Sequence, residues 1–348
     1  MTIGSFPDWP ATKAREQARN LRRLIDAGRD PLAERQEQRD ALTVNALVDR
    51  FDAEHIAVRL RPHTARDYRA MLRLHIRPAI GRLKVASVAF EDIARMHSGV
   101  ARSAPYAANR VRSVCSKMFS LAAQWKLRAD NPCRGVERSA EHRREVFLSP
   151  TQIAKLGEVL AAHPERASAQ AVQLLALTGA RRSEVLGARW DEFDLEAGVW
   201  LKPHSNTKQK RDHRLPLSAP ALQILAEMRD DADAADRLTP SAFLFPGRRG
   251  RPLLSVKRFW TSVASKSGLH GVRLHDLRHT HASILASQGF SLPLIGALLG
   301  HTQPATTARY AHLMDDALRA ATERVGAVIM GGSEAEVVSL PARRGRRG

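Results

Sequence analysis

Cysteine is nearly absent: Cys115 and Cys133 are the only two in 348 residues, and neither stands in a paired ligand spacing. A disulfide scaffold and a thiolate zinc site are thereby excluded, and a reducing cytoplasm fits. The chain also lacks any apolar run approaching the roughly 20 residues that a bilayer-spanning helix needs. Met1 to Pro10 holds no apolar core of signal-peptide length, so a soluble protein with no membrane partner is expected. Tyrosine is scarce, with only Tyr68, Tyr106 and Tyr310. Acidic residues are outnumbered: 36 Asp and Glu against 55 Lys and Arg leave a formal charge of +19. That excess exceeds what solubility asks and implies a polyanionic partner. Nucleic acid leads, because cations that neutralise phosphates release counterions and supply sequence-independent affinity. An anionic lipid surface and a merely basic surface are the alternatives that charge alone leaves open.

With 43% hydrophobic residues the chain is globular, and its length suits two or three domains. Residues 11–40 read as one charged helix, punctuated by Gly28 and Asp30-Pro31 and too poor in apolar residues to fold alone. Thr43 caps a helix with Val44, Leu47, Val48 and Phe51 on one face, ending before Arg61-Pro62. A second helix carries Tyr68, Met71, Leu72 and Ile76 and is expected to stop at Pro78 and Gly81. A third lies around Phe90, Ile93 and Met96. A long fourth runs from Val111 to Trp125 and is closed by Asp130-Asn131-Pro132. Residues 137–145 are charged and aperiodic, as an exposed linker would be. Ser149-Pro150-Thr151-Gln152 then opens a helix with a capping box. Ala169 to Leu177 is a buried helix ending at Thr178-Gly179. Val199 to Leu201 and Arg211 to Leu217 form a hairpin with a cationic tip at Ser205 to Lys210. Helices follow at Leu222 to Met228, Ser255 to Ser267, Leu274 to Gln288, Leu292 to Leu299 and Asp315 to Val328. Asp230 to Asp236 reads as a solvated acidic connection, and Arg343 to Arg347 as a mobile basic tail. The fold class is mainly α with a small β-sheet, an α+β arrangement.

Polar groups gather at five places in the second half: Thr178 to Glu184, the hairpin tip with Lys208, His275 to His279, Leu299-Gly300-His301, and Ala308-Arg309-Tyr310. Any one of these is weak, since an Arg after a helix is usually a paired surface residue. Their order is specific. The "TGARRSE" box, a Lys eight residues before the Pro of "RLPL", "HDLRHTHAS", "LGH", and a Tyr nine residues after that His occur in sequence, and in this the chain resembles the tyrosine recombinases, the phage integrase-like family. The resemblance extends over residues 43–328.

The resemblance implies a helical core DNA-binding domain at 41–136, a linker at 137–146 and a catalytic domain at 147–330, followed by the basic tail at 331–348. Residues 1–40 resemble the end of the arm-site-binding domain of prophage and genomic-island integrases. The strands that should precede it are missing, so a truncated start is expected. The family pattern implies that Arg181, Lys208, His275, Arg278 and His301 surround the scissile phosphate and that Tyr310 is the nucleophile. It further implies double-stranded DNA with attachment sites as partner, a homotetramer on DNA, accessory DNA-bending or directionality proteins, a nucleoid-associated location, and no cofactor.

The chemistry supports those roles independently. A phosphodiester gains negative charge on the way to its pentacoordinate transition state, which suits two guanidinium forks and imidazole donors. A phenol with a pKa of about 10 attacks well only if its proton is taken, and His275 is a candidate acceptor. Lys208 reads as the acid for the departing 5′ oxygen, with Lys210 its rival. Religation then needs neither ATP nor Mg²⁺, because the phosphotyrosyl bond conserves the energy of the broken one. Glu184 is expected to orient Arg181 rather than act as an acid. Arg182, His279, His281 and His312 remain unassigned. A metal site built on His275, His279, His281 and His301 is the rival from another class, disfavoured because Arg278 stands between the first two. A DNA-binding regulator without chemistry and a topoisomerase are further alternatives. The helix Asp315 to Val328 is the candidate for docking onto a neighbouring protomer, with packing against its own domain equally open.

Overall fold

The structure is a computed structural model and describes residues 5–28, 30–141, 144–203 and 212–330. It divides into two compact units, Met1–Arg143 and Arg144–Gly348. Among the described residues no helix is long and apolar enough to cross a membrane.

In the first unit the expected single helix over 11–40 is two, Ala11–Asp26 and Pro31–Asp40. They break where Gly28 takes a φ of 77° and Pro31 opens the next helix. Ala11–Asp26 buries no residue, consistent with its shortage of apolar side chains. Thr43 caps Val44–Phe51 by accepting from the Ala46 N–H at 3.3 Å, and Val44, Leu47, Val48 and Phe51 are all buried. The second expected helix starts at Pro62 and runs through a π-helical turn, Leu72–Ile76, into Arg77–Ile80, so Pro78 does not end it. The widened turn has already displaced the carbonyl ladder where Pro78 lacks its N–H. Helices Phe90–Ala101 and Pro105–Gln124 complete the core, the latter ending beside the expected Trp125 and starting six residues before Val111. Phe51, Ile76, Ile93, Val114, Met118 and Phe119 meet in one apolar cluster. The segment read as an exposed linker is held at its start. Ser139 N donates to Asn109 Oδ1 at 2.9 Å, and Asn109 Nδ2 donates to Ser139 O at 2.9 Å.

The second unit is helical around a three-stranded antiparallel sheet ordered β1 (Phe193–Asp194), β2 (Val199–Lys202), β3 (His213–Pro216). The hairpin of β2 and β3 is as expected, whereas β1 was too short to register as a pattern. Trp200 pairs with Leu215 and Lys202 with His213. The capping box at Ser149 forms in both directions, with Gln152 N donating to Ser149 Oγ at 3.2 Å and Ser149 N to Gln152 Oε1 at 2.9 Å. The segment Asp230 to Asp236 is a correction: helix Ala219–Ala234 continues through most of it. Its acidic residues are exposed helical positions, and the chain turns only at Asp236, φ 51°. A large cluster built on Leu174, Leu175, Val185, Trp200, Leu225 and Phe259 forms the main core. A separate small one joins Ala282, Ala286, Ile295, Leu299 and Tyr310. Helix Asp315–Ile329 buries none of its residues.

Candidate active site

The first polar box is made by a helix end. Arg166–Thr178 stops at Gly179, whose φ of 59° favours a residue without a side chain, and a Cβ there would lie 2.8 Å from His281 and Leu299. The backbone then extends through Arg181, at φ −75° and ψ 147°, into the short helix Arg182–Leu186. Glu184, in the first turn, accepts from Arg181 N at 3.2 Å and from Arg181 Nη1 at 2.7 Å. The orienting contact expected of Glu184 is therefore present. Burial pushes the Glu184 carboxyl upward, but the charge of Lys202 and the hydrogen bonds of Arg181 outweigh it, and its pKa falls below the usual value.

Arg278 is 4% exposed. Its Nη1 donates to Gly179 O and its Nη2 to Leu299 O, both at 2.7 Å. Gly179 and Gly300, φ 65°, are left-handed caps that end two helices, so the guanidinium takes up carbonyls that those ends leave free. The "TGA" and "LGH" boxes thus become neighbours through one arginine. Desolvation, followed by the charge of Arg181, lowers the Arg278 pKa to about 10, still cationic at neutral pH. His275 stands at the N-cap position of the same helix, Asp276–Ser287, its side chain making no capping bond. Arg181, Arg182, Ser183, Leu274, His275 and Arg278 line one open cleft. His301 packs nearby, its Nδ1 bonded to Thr307 Oγ1 at 2.8 Å, and its pKa falls to about 4 through desolvation and then the charge of Arg278.

Tyr310 is 5% exposed on the 3₁₀ segment Ala308–Met314. Its hydroxyl lies 2.6 Å from His279 Nδ1, not against His275. Burial, followed by the charge of His275, lowers the His279 pKa to about 4, so at neutral pH the imidazole is neutral, and in its Nε2–H tautomer Nδ1 accepts from the phenol. The phenol's own pKa is raised by burial, opposed by Arg309 and Arg278. Tyr310 lines a small recess with Arg144, Phe147, His279 and Arg309, beside the arginine cleft rather than inside it. Lys208 and Lys210 lie outside the described residues.

His279 and Lys202 are the residues that sequence reasoning missed. His279 carried a signal, its place four residues after His275, but that spacing suggested only the rival metal site. Lys202 carried one too: two residues after Trp200 on a strand, it shares that buried face. Among the described residues no group of three or more His, Cys, Asp or Glu could hold a metal ion. His275 and His279 meet edge to face, ring centroids 5.0 Å apart, while His281 Nδ1 is on Ala176 O at 3.1 Å and His279 Nδ1 on Tyr310.

Three segments of the chain match known families. Residues 146–316 match the phage integrase family, 46–139 the phage integrase central domain, and 1–38 an arm DNA-binding domain. The prophage integrase IntZ of Escherichia coli K12 is 27% identical over 298 residues, covering 82% of this chain and 72% of that one. The tyrosine recombinase XerC of Xanthomonas axonopodis pv. citri is 32% identical over 139 residues, 39% of this chain and 43% of that one. A lambda integrase tetramer bound to a Holliday junction shares the fold, with a TM-score of 0.67 at 19% identity over 86% of this chain and 87% of that one. With these matches laid over a cleft that gathers Arg181, His275 and Arg278, the chain belongs to the phage integrase family of tyrosine recombinases.

Proposed function

We propose that this integrase breaks and rejoins DNA strands with Tyr310 as its nucleophile, integrating or excising a mobile element through a 3′-phosphotyrosyl intermediate. The observation that carries the reading is the pair of anchored guanidiniums. Arg278 is locked between two helix-end carbonyls and Arg181 is pinned by Glu184, so both present fixed cations to one cleft that His275 also lines. Preorganised donors of this kind need no rearrangement as charge develops on a phosphate.

The phenolic oxygen attacks phosphorus, its proton passes to an imidazole, and the P–O5′ bond breaks as Lys208 protonates the departing oxygen. Attack by a 5′ hydroxyl from another strand reverses those transfers. His275 and His301 donate to the phosphate oxygens. His279 Nδ1 lies 2.6 Å from the phenolic oxygen, which makes it a nearer first acceptor than His275.

Double-stranded DNA is the substrate and a homotetramer the acting assembly, as four strand cuts require. Helix Asp315–Ile329 is the docking element: Leu318, Val325 and Val328 are 58%, 57% and 82% exposed, so its apolar face finds no cover among the described residues of its own unit. Accessory bending or directionality proteins would act on the same DNA.

A nicked suicide substrate spanning the junction of the element tests the chemistry. The full chain should form a covalent complex that Tyr310→Phe abolishes. An adduct that persists in that variant overturns the nucleophile, and loss of cleavage in chelator revives the metal reading.

A further inference from the structure

Lys202 is buried in a way its strand does not require. It is 2% exposed, on the inward face of β2, with Nζ 4.7 Å from the Trp200 ring. An ammonium taken from water costs several kcal/mol unless it is paired, and apolar replacements of buried ion pairs are often neutral or stabilising. In a strand reading Val-Trp-Leu-Lys, a methionine or leucine would fill that space. The partner explains the choice. Lys202 Nζ lies 3.3 Å from Glu184 Oε2, and Glu184, itself 3% exposed, holds Arg181 Nη1 through its other oxygen at 2.7 Å.

The three groups form a chain, Lys202 to Glu184 to Arg181, that carries charge as well as orientation. Without the ammonium, the buried carboxylate would face one guanidinium only, and the pair would be neutral overall. With it, the carboxylate is shared, and the triad keeps one net positive charge on the side that lines the cleft. The two oxygens are also assigned: Oε2 to Lys202 and Arg181 N, Oε1 to Nη1, which fixes the guanidinium plane.

We propose that Lys202 is a positioning residue for phosphoryl transfer, acting through Glu184 to hold Arg181 in place and to preserve its charge at the scissile phosphate. This rests on the reading of Arg181 as a phosphate ligand. Lys202 is not the proton donor to the leaving oxygen, because its ammonium is sealed from solvent and engaged by Glu184. That role stays with Lys208, six residues on.

The test uses the full chain and two nicked suicide substrates, one with the normal 5′ oxygen at the scissile bond and one with a bridging 5′ sulfur, whose thiolate leaves without a proton. Lys202→Met should slow covalent-complex formation on the order of 100-fold, the size expected when a binding group is misplaced by about an ångström. It should do so equally on both substrates. Lys208→Ala should be slow on oxygen and recover on sulfur. Lys202→Arg should restore most of the Lys202→Met loss. Because Lys202→Met leaves Glu184 less compensated and its folding can suffer, the double variant Glu184→Gln with Lys202→Met is the second arm. It buries no unpaired charge and leaves Arg181 its own, so it should cleave faster than Lys202→Met, or fold where that variant does not and still cleave faster than Arg181→Ala.

Wild-type cleavage by Lys202→Met overturns the proposal. Rescue of Lys202→Met by sulfur also overturns it, by making Lys202 the acid. A double variant no faster than Arg181→Ala overturns the charge argument. Undiminished cleavage by Arg181→Ala would instead sink the underlying reading of Arg181, whatever Lys202 does.

Discussion

The two units bury different things. Among the described residues the wholly buried polar groups of the first unit are neutral or imidazole, His97, Asn109 and Asn131, and Arg128, its side chain 7% exposed, reaches inward to Val85 O and Val88 O from beside Asp130. The second buries Glu184, Glu192, Lys202, Asp276 and Arg278. One unit is a core that serves folding, whereas the other accepts costly charges beside the cleft proposed to grip a phosphate. A buried charge is poor value for stability, and three of these five, Glu184, Lys202 and Arg278, belong to the charge network of Arg181.

Truncation in the first unit should give the largest stability effect. Phe51→Ala removes a fully buried ring and should cost about 3–5 kcal/mol, read by thermal or denaturant unfolding. A loss below about 1 kcal/mol would show that this core is less closely packed than described.

Arg278→Lys comes next and should act on cleavage. A single ammonium cannot reach both Gly179 O and Leu299 O with the geometry of a fork, so covalent-complex formation should fall about 10²–10³-fold, as when an oxyanion donor is removed. An unchanged rate in the suicide-substrate assay would remove Arg278 from the site.

Acid should separate the units further. His279 and His301 are held near 4 in the folded chain against an ordinary 6.5, so the unfolded chain binds more protons between those values. Their contribution to stability is complete above about 6.5 and is lost as pH falls toward about 4. In the first unit His55 is the one histidine among the described residues whose pKa is lowered, by desolvation first. Unfolding of the second unit, followed by hydrogen exchange as pH is reduced over that window, should therefore weaken more than that of the first. Equal weakening would break the contrast.

The helix caps should show no contrast at all. Thr43→Ala in the first unit and Ser149→Ala in the second each remove one cap and should each cost about 1 kcal/mol. A large difference between them would mean that something other than the cap is being measured.

The readability of the sequence followed the same divide. Apolar spacing located the core helices of the first unit because a core made mostly of apolar side chains writes its period directly into the chain. It failed at Pro78, where a π turn changed the backbone, and at Asp230 to Asp236, where exposed acidic residues look alike in a helix and in a loop. In the second unit Arg181, His275, Arg278 and Tyr310 stood out by order and spacing, and the structure brings the first three to one cleft with Tyr310 in the recess beside it. The partners did not stand out, because Lys202 meets Glu184 across 18 positions and Tyr310 meets His279 across 31.

The sequence by itself determined the helical and strand periods, the caps, the basic charge and the order of the polar boxes, since each depends on residues close together in the chain. Only the tertiary structure decided which carbonyls Arg278 bridges, which imidazole receives the phenol and where a buried lysine finds its counter-charge. Hydrogen bonds and ion pairs act over a few ångströms, and it is folding that turns distant positions into neighbours at that range.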